Sequence, residues 1–362
     1  MTAHLADGAT SRRRSPNPRR SLTARALLIL FIAVTGCDGS PVAHVGVPSG
    51  VRPRAGEATY QLILEPDEGY GQVIGVIDQA QRSIRTTMYE LADPQATAAL
   101  IAAHGRGVDT KVLLDAAVHG RETNAAAFDQ LGSAGVNVRW APAGVIYHQK
   151  SISIDNSETA VGTGNLVSKY YSSSRDAWVL DSNTDDIAAI DATFDADYSA
   201  AAVGSGHPPA ATPAPNLIWS PAGRATFLQQ IDAATRSVDV TSEELKDRVI
   251  VVALGKAAQR GVSCRIVLTA NPAWTKAVEE LTTAGCSIHL IPDDDNKHLY
   301  MHEKMLLTDD TTLIIGSQNL STASLLENRE LSLKLDAGTA KPVLDAVGST
   351  FDDDYRQASS GP

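Results

Sequence analysis

Six residues recur at a constant spacing of 154 positions, with no insertion among them. His148, Lys150, Asp155, Asn165, Arg175 and Asp176 reappear as His302, Lys304, Asp309, Asn319, Arg329 and Glu330. A chain built this way folds as two copies of one unit. The same register pairs Arg82-Ser83 with Arg236-Ser237, Glu90-Leu91 with Glu244-Leu245, and Gly107-Val108 with Gly261-Val262. Ala134-Gly135 and Ala284-Gly285 fall at 150, and the longer loop Pro292 to Tyr300 recovers the difference. The period is too long for a solenoid. It fits two half-domains about a pseudo-two-fold axis, which brings the same patch of each half together.

The repeated stretches have a local reading. YHQKSISID and MHEKMLLTD alternate as strands do and end in the turn-formers Asp-Asn and Asp-Asp. Residues two apart on a strand share a face, so His148 would align with Lys150 and His302 with Lys304. Asp155 and Asp309 have the opposite parity and fall at the strand end. They are expected to brace the turn or anchor a neighbouring element. A return strand (TAVGTGN, TTLIIGSQN) carries glycines that let backbone approach a ligand closely, and ends at the neutral donors Asn165 and Asn319. Lysine is almost never fully buried unless paired, so a Lys beside a His in both copies is not a packing device.

Around the motifs, strands alternate with helices. Helices are expected over Gly71 to Ala80, Pro94 to His104, about Asn124 to Ala134, and up to about Tyr198. Strands are expected at SIRTTMYEL, VDTKVLLD, VNVRW and RDAWVLD. The pattern argues an α/β fold, two repeats each with a mixed β-sheet flanked by helices. The expected organisation is a first repeat over 60–202, a Pro/Gly-rich linker over 203–215 and a second repeat over 216–356.

His-x-Lys-x4-Asp followed by Gly-Ser/Thr-x-Asn, in two copies, resembles the phospholipase D superfamily. The resemblance runs from about Ile63 to Tyr355. Gly162-Thr163-Gly164-Asn165 and Gly316-Ser317-Gln318-Asn319 complete its two motifs, and add Thr163 and Ser317 as candidate substrate contacts. It implies His148 as nucleophile and His302 as acid; symmetry alone does not choose between them.

The residues suit phosphodiester chemistry. Displacement at phosphorus needs charge stabilisation and an in-line nucleophile and leaving group. Lys150 and Lys304 supply fixed positive charge, helped by Asn165 and Asn319. One imidazole attacks and the other protonates the leaving alcohol. Each ring needs orienting through its other nitrogen. Asp176 and Glu330, 28 residues after each motif His, are the candidates; the alternative is that they pair with Arg175 and Arg329. No cofactor and no metal are called for. Asp293-Asp294-Asp295 reads as a solvated loop.

Residues 1–36 read as a leader to be removed: six arginines, the apolar run Ala26 to Val34, then Val34-Thr35-Gly36-Cys37. The run is too short to span a membrane, which takes about 20 residues. Its end looks like a bacterial lipobox, with Cys37 lipidated, residues 37–59 as a tether, and the protein exported and anchored to a membrane or secreted. The whole chain carries −11, and losing the leader's net +5 leaves about −16. Nucleic-acid binders are usually basic. The expected partner is therefore a phospholipid or membrane surface rather than nucleic acid, with one chain sufficient as a monomer. Hydrolysis of a phospholipid to phosphatidate and alcohol is the first reading. An exported nuclease or other phosphodiesterase of the superfamily and a non-catalytic binding relative are the alternatives. A cardiolipin-type synthase stands behind these, since such enzymes usually carry N-terminal spans. Cys264 and Cys286 form an even pair at the starts of neighbouring strands, compatible with a disulfide or with two buried thiols.

Overall fold

In each half, a parallel three-strand ladder and an antiparallel ladder share one sheet. The computed structural model describes residues 60–117, 119–294 and 297–360. The expected leader, Cys37, the tether and Asp295 lie outside the described residues. The first half runs β1 (Tyr60–Glu65), α1 (Gly71–Gln79), β2 (Ser83–Met88), α2 (Pro94–Gly105), β3 (Asp109–Leu114), α3 (Gly120–Ser133), β4 (Asn137–Trp140), β5 (Lys150–Ile154), β6 (Glu158–Gly162), β7 (Ser174–Asp181) and α4 (Thr184–Ala202). The second runs β8 (Leu217–Ser220), α5 (Arg224–Ala233), β9 (Ser237–Thr241), α6 (Arg248–Gln259), β10 (Ser263–Thr269), α7 (Thr275–Ala284), β11 (Ser287–Ile291), β12 (Tyr300–Met301), β13 (Met305–Thr308), β14 (Thr312–Gly316), α8 (Thr322–Leu326), β15 (Glu330–Asp336), α9 (Ala337–Gln357) and β16 (Ser359–Ser360).

The sheet orders are the same in both halves. The first is β1-β7-β6-β5-β2-β3-β4 and the second β8-β15-β14-β13-β9-β10-β11, closed by β16. Strands β2, β3 and β4 run parallel, as do β9, β10 and β11. The helices that connect them cover the sheet and make its strands buried apolar runs. Each half has its own core, around Val112 and Leu100 in one and Ile266 and Leu254 in the other. A third apolar cluster joins the halves: Val161, Ala177 and Val179 pack with Ile315, Leu331 and Leu333.

The motif aspartates anchor the sheets. Asp155-Asn156 and Asp309-Asp310 adopt left-handed conformations (φ 53–56°) in the hairpin turns, the pair of angles a tight hairpin needs. The Asp155 carboxylate accepts the amides of Gln81, Arg82 and Ser83 at 2.6–3.2 Å. Asp309 accepts those of Thr235, Arg236 and Ser237 at 2.7–3.2 Å. Each thus fixes the loop entering the central strand of its half.

Three expectations need correction. The motif strands begin at Lys150 and Met305, so His148 and His302 precede them. Shared strand parity therefore does not align each His with its Lys. Instead the Lys150 ammonium folds back on the His148 carbonyl at 2.6 Å, and Lys304 does the same to His302. The glycines approach protein rather than ligand: a Cβ on Gly162 would meet the Trp178 ring at 2.5 Å, and one on Gly164 would meet Tyr70 Oη at 2.4 Å. Strands β1 and β8 also escape the alternation reading; they are short edges laid antiparallel on β7 and β15.

Cys264 and Cys286 are joined in a disulfide, with Cα atoms 4.7 Å apart across β10 and the start of β11. It closes a loop of 22 residues. Constraining such a loop in the unfolded chain is worth about 3 kcal/mol. Reduction is expected to release two thiols under denaturing titration and to lower the melting temperature by several degrees.

Candidate active site

The segments that carry the motif histidines each cross to the other half. The amides of His148 and Gln149 donate to the Arg329 carbonyl at 3.0 and 3.1 Å, and the Arg329 amide donates to Ile146. Strand β12, just before His302, pairs in parallel with Ser174 and Arg175 of β7. Each histidine is thereby laid beside the acid-bearing strand of its opposite repeat.

The carboxylates follow this crossing. His148 Nδ1 meets Glu330 Oε2 at 2.8 Å, and His302 Nδ1 meets Asp176 Oδ1 at 2.8 Å. The acids are themselves held. Ser324 Oγ and Asn328 Nδ2 donate to Glu330 Oε1 at 2.6 and 3.0 Å. Thr163 Oγ1 donates to Asp176 Oδ1 at 2.7 Å. With Nδ1 engaged, the Nε2 side of each ring remains for the cavity.

Arg175 and Arg329 do not pair with these acids. Arg175 binds Asp354 through Nε at 2.8 Å and Nη2 at 3.0 Å, and Arg329 binds Asp197 at 2.7 Å. Both are buried pairs between halves. Arg329 also donates to the Pro209 carbonyl, tying the 203–215 connection to the interface.

His148, His302, Asn165, Asn319, Asp176 and Glu330 line one cavity of about 780 Å³. Lys150 and Lys304 lie buried beside it. Thr163 and Ser317, expected to touch substrate, are fully buried and absent from the cavity wall. Thr163 bonds Asp176, and Ser317 Oγ accepts the Leu331 amide at 3.0 Å, so both hold the acid-bearing strands. Asp155 and Asp309 lie at the hairpin turns, away from the cavity.

Burial, aided by the nearby lysines and opposed by Glu330, lowers the His148 pKa, which favours the neutral ring a nucleophile needs. Burial first, and then the Lys304 charge, push Lys150 down to about 7. An arriving phosphoryl group would restore its proton.

Two wall residues escape the motif reading. Glu243 forms an ion pair with Lys304 Nζ at 3.0 Å, accepts from Asn319 Nδ2 at 3.1 Å, and lies 3.4 Å from His302 Nε2. The residue 154 positions earlier is Tyr89, whose ring packs edge-on to His148 with centroids 4.7 Å apart. The sequence signal was weak: Tyr89/Glu243 is one of several differences between SIRTTMYEL and SVDVTSEEL, set just before the matched Glu-Leu pair.

Glu303, between His302 and Lys304, is fully enclosed where the first repeat has Gln149. Burial, opposed by Arg175, pushes its carboxyl up to about 8. A carboxyl raised in the fold binds its proton more tightly than in the unfolded chain. Its contribution is full below the unfolded value of about 4.5 and is lost as pH rises through 8. Glu303→Gln is expected to melt higher than wild type at pH 8.5, by about 1–2 kcal/mol of stability, with the gap closing toward pH 5.

The family model "Cardiolipin synthase, PLD-like domain" matches residues 73–198 and 227–354. The chain belongs to the phospholipase D superfamily. Cardiolipin synthase A of Pseudomonas putida (strain GB-1) is 31% identical over 140 residues, 36% of this chain and 28% of that protein. The Pseudomonas entomophila (strain L48) enzyme of the same name is 32% identical over 135 residues, 35% of this chain and 27% of its own length. The chain thus spans little more than a quarter of the curated relatives it matches. Phosphatidylserine synthase of Haemophilus influenzae Rd KW20 shares the fold, with TM-score 0.64 and 12% identity over 83% of this chain and 87% of that one. Polyphosphate kinase from Porphyromonas gingivalis aligns at TM-score 0.58 and 15% identity, covering 79% and 49%. This phospholipase D-like chain is a mixed α/β protein with both repeats of the family intact. No helix among its described residues is long and apolar enough to cross a membrane.

Proposed function

We propose that this chain is a phosphodiesterase acting on phospholipid by two-step transfer through a phosphohistidine. The supporting observation is the pair of motif histidines on one cavity, each with its Nδ1 on a carboxylate from the opposite repeat. His148 Nε2 attacks phosphorus and the bond to the leaving alcohol breaks. His302, its Nδ1 held by Asp176 and its Nε2 3.4 Å from Glu243, delivers the proton to the leaving oxygen. Neutral His302 then takes a proton from water, the resulting hydroxide displaces His148 from phosphorus, and phosphatidate leaves. Lys150, Lys304, Asn165 and Asn319 carry the phosphoryl charge, which leaves no step for a metal to fill.

The wall favours a lipid head group over nucleic acid. Glu90, Glu244, Asp293 and Asp294 line the cavity beside the histidines, and their negative charge repels a polyanion. The names of the matched relatives favour a second reading, in which an alcohol rather than water accepts the phosphatidyl group. Both are tested by giving the purified protein phosphatidylcholine or phosphatidylglycerol vesicles, or single-stranded DNA, with chelator present. Phosphatidate is the expected product with phosphatidylcholine, and a diphosphatidyl product with phosphatidylglycerol marks alcohol transfer. Cleavage of DNA alone would overturn the lipid reading. Labelled phosphate trapped on His302 would reverse the assignment of the two histidines.

A further inference from the structure

The two halves are not equivalent at their phosphoryl subsites. In the second half the three donors a phosphoryl oxygen would meet are the Lys304 ammonium, the Asn319 amide and His302 Nε2. All three converge on Glu243, at 3.0, 3.1 and 3.4 Å. Asp176 already holds His302 Nδ1, so Glu243 stands at the nitrogen that faces the cavity. In the first half the equivalent residue is Tyr89. There the Lys150 ammonium bonds the His148 carbonyl and faces the Tyr89 ring at 5.1 Å, and the Asn165 amide lies 3.4 Å from Glu90.

We infer that Glu243 is a resident counter-ion in the second-half phosphoryl subsite, which the anionic group of the substrate must displace. The inference rests on the phosphoryl-transfer reading above and adds a regulation to it. The carboxylate neutralises Lys304 and holds Asn319 and His302 in place. Its side chain is a quarter exposed to the cavity, so it has space to swing away. A phosphate entering against it meets a like charge; a phosphate that displaces it inherits three positioned donors. The first half carries no such carboxylate on its lysine. A phosphoryl group therefore engages Lys150 and Asn165 first and completes its coordination only when Glu243 leaves. Weakly held anions are excluded, because too little binding energy is available to move the carboxylate.

Charge explains why the residue stays ionised for this task. Burial opposes the charge, but the Lys304 and His302 charges, with the Asn319 hydrogen bond, hold the Glu243 carboxyl well below the usual range.

The test is calorimetric titration of inorganic phosphate into the full chain at pH 7, using wild type, Glu243→Gln and Glu243→Ala, with melting curves to establish folding. Removing one like charge beside the anion is expected to tighten phosphate binding about tenfold in Glu243→Gln, equivalent to about 1.4 kcal/mol. Glu243→Ala is expected to tighten it at least as much, even if it melts lower. Phosphate binding that is unchanged or weaker in both folded variants would overturn the inference and make Glu243 a structural partner of Lys304. If neither wild type nor variants bind phosphate, the phosphoryl reading of the cavity falls too. If wild type binds and the variants match it, only the role of Glu243 falls.

Discussion

Glu330→Gln is expected to lower kcat for phosphodiester cleavage by about 10³–10⁴-fold, and Asp176→Asn by only about 10–10²-fold. The difference comes from how each carboxylate is held. Glu330 Oε1 accepts from Ser324 Oγ and Asn328 Nδ2, while Oε2 meets His148 Nδ1. In the glutamine variant the amide oxygen must stay with those two donors. The amide nitrogen then faces Nδ1 and donates to it. Against the pull of the Ser317 carbonyl, 3.2 Å from Nδ1, that contact favours the imidazole proton on Nε2, the nitrogen that must attack phosphorus, and so populates the wrong tautomer of the nucleophile. At Asp176 both the Thr163 hydroxyl and His302 Nδ1 meet the same oxygen, Oδ1. An asparagine keeps that oxygen in place and loses charge but not tautomer. Rapid-quench measurement of phosphoenzyme separates the two. Glu330→Gln should slow its formation, whereas Asp176→Asn should be felt chiefly with poor leaving groups, for which proton delivery matters. Equal losses in the two variants, or a near-normal Glu330→Gln enzyme, would contradict the crossed arrangement as the source of reactivity.

The motif residues and the duplication were legible because they recur at one spacing, and spacing is what a linear sequence displays. The turns were legible for the same kind of reason: Asp155-Asn156 and Asp309-Asp310 carry the left-handed angles that a short polar pair tolerates. The crossing was not. His148 contacts an acid 182 residues away rather than the one 28 residues on, and local periodicity is silent about which repeat a carboxylate serves. For the same reason the motif strands were drawn too long. Residues Tyr147 and His148 extend like strand, but they bond to Arg329 of the other half instead of continuing β5. Glu243 was hidden by its neighbour. The match of Glu90-Leu91 to Glu244-Leu245 drew attention one residue past Tyr89 and Glu243, one of several positions there at which the repeats differ. Thr163 and Ser317 were placed on the substrate because their motif borders it, yet their hydroxyls turn inward to the strands that carry the acids.

Arg329→Met is expected to cost about 3–5 kcal/mol of stability, the usual result of stripping the partner from a buried charge. For a domain of this size that is roughly 10 °C in melting temperature. Asp197 is buried, its side chain only 3% exposed, and Arg329 at 2.7 Å is the cation that meets it. Burial already raises the Asp197 pKa, with Arg329 opposing. Without the arginine it rises further, and the folded protein then holds a proton that the unfolded chain gives up above its own lower pKa. The deficit therefore grows as pH rises, so Arg329→Met should fall further below wild type at pH 8 than at pH 5. Replacing both partners, in Arg329→Met with Asp197→Leu, should restore most of the loss, because no charge is left stranded. The restored protein should still be a poor catalyst. Arg329 immediately precedes Glu330, and its carbonyl and amide hold the segment Ile146 to Gln149 that presents His148. Stability recovered without activity would separate the two duties of this strand, closing the halves together and aiming the acid at the opposite histidine. Recovery of both would mean that the apolar cluster of Val161, Ala177, Ile315 and Leu331 suffices to set the active-site geometry.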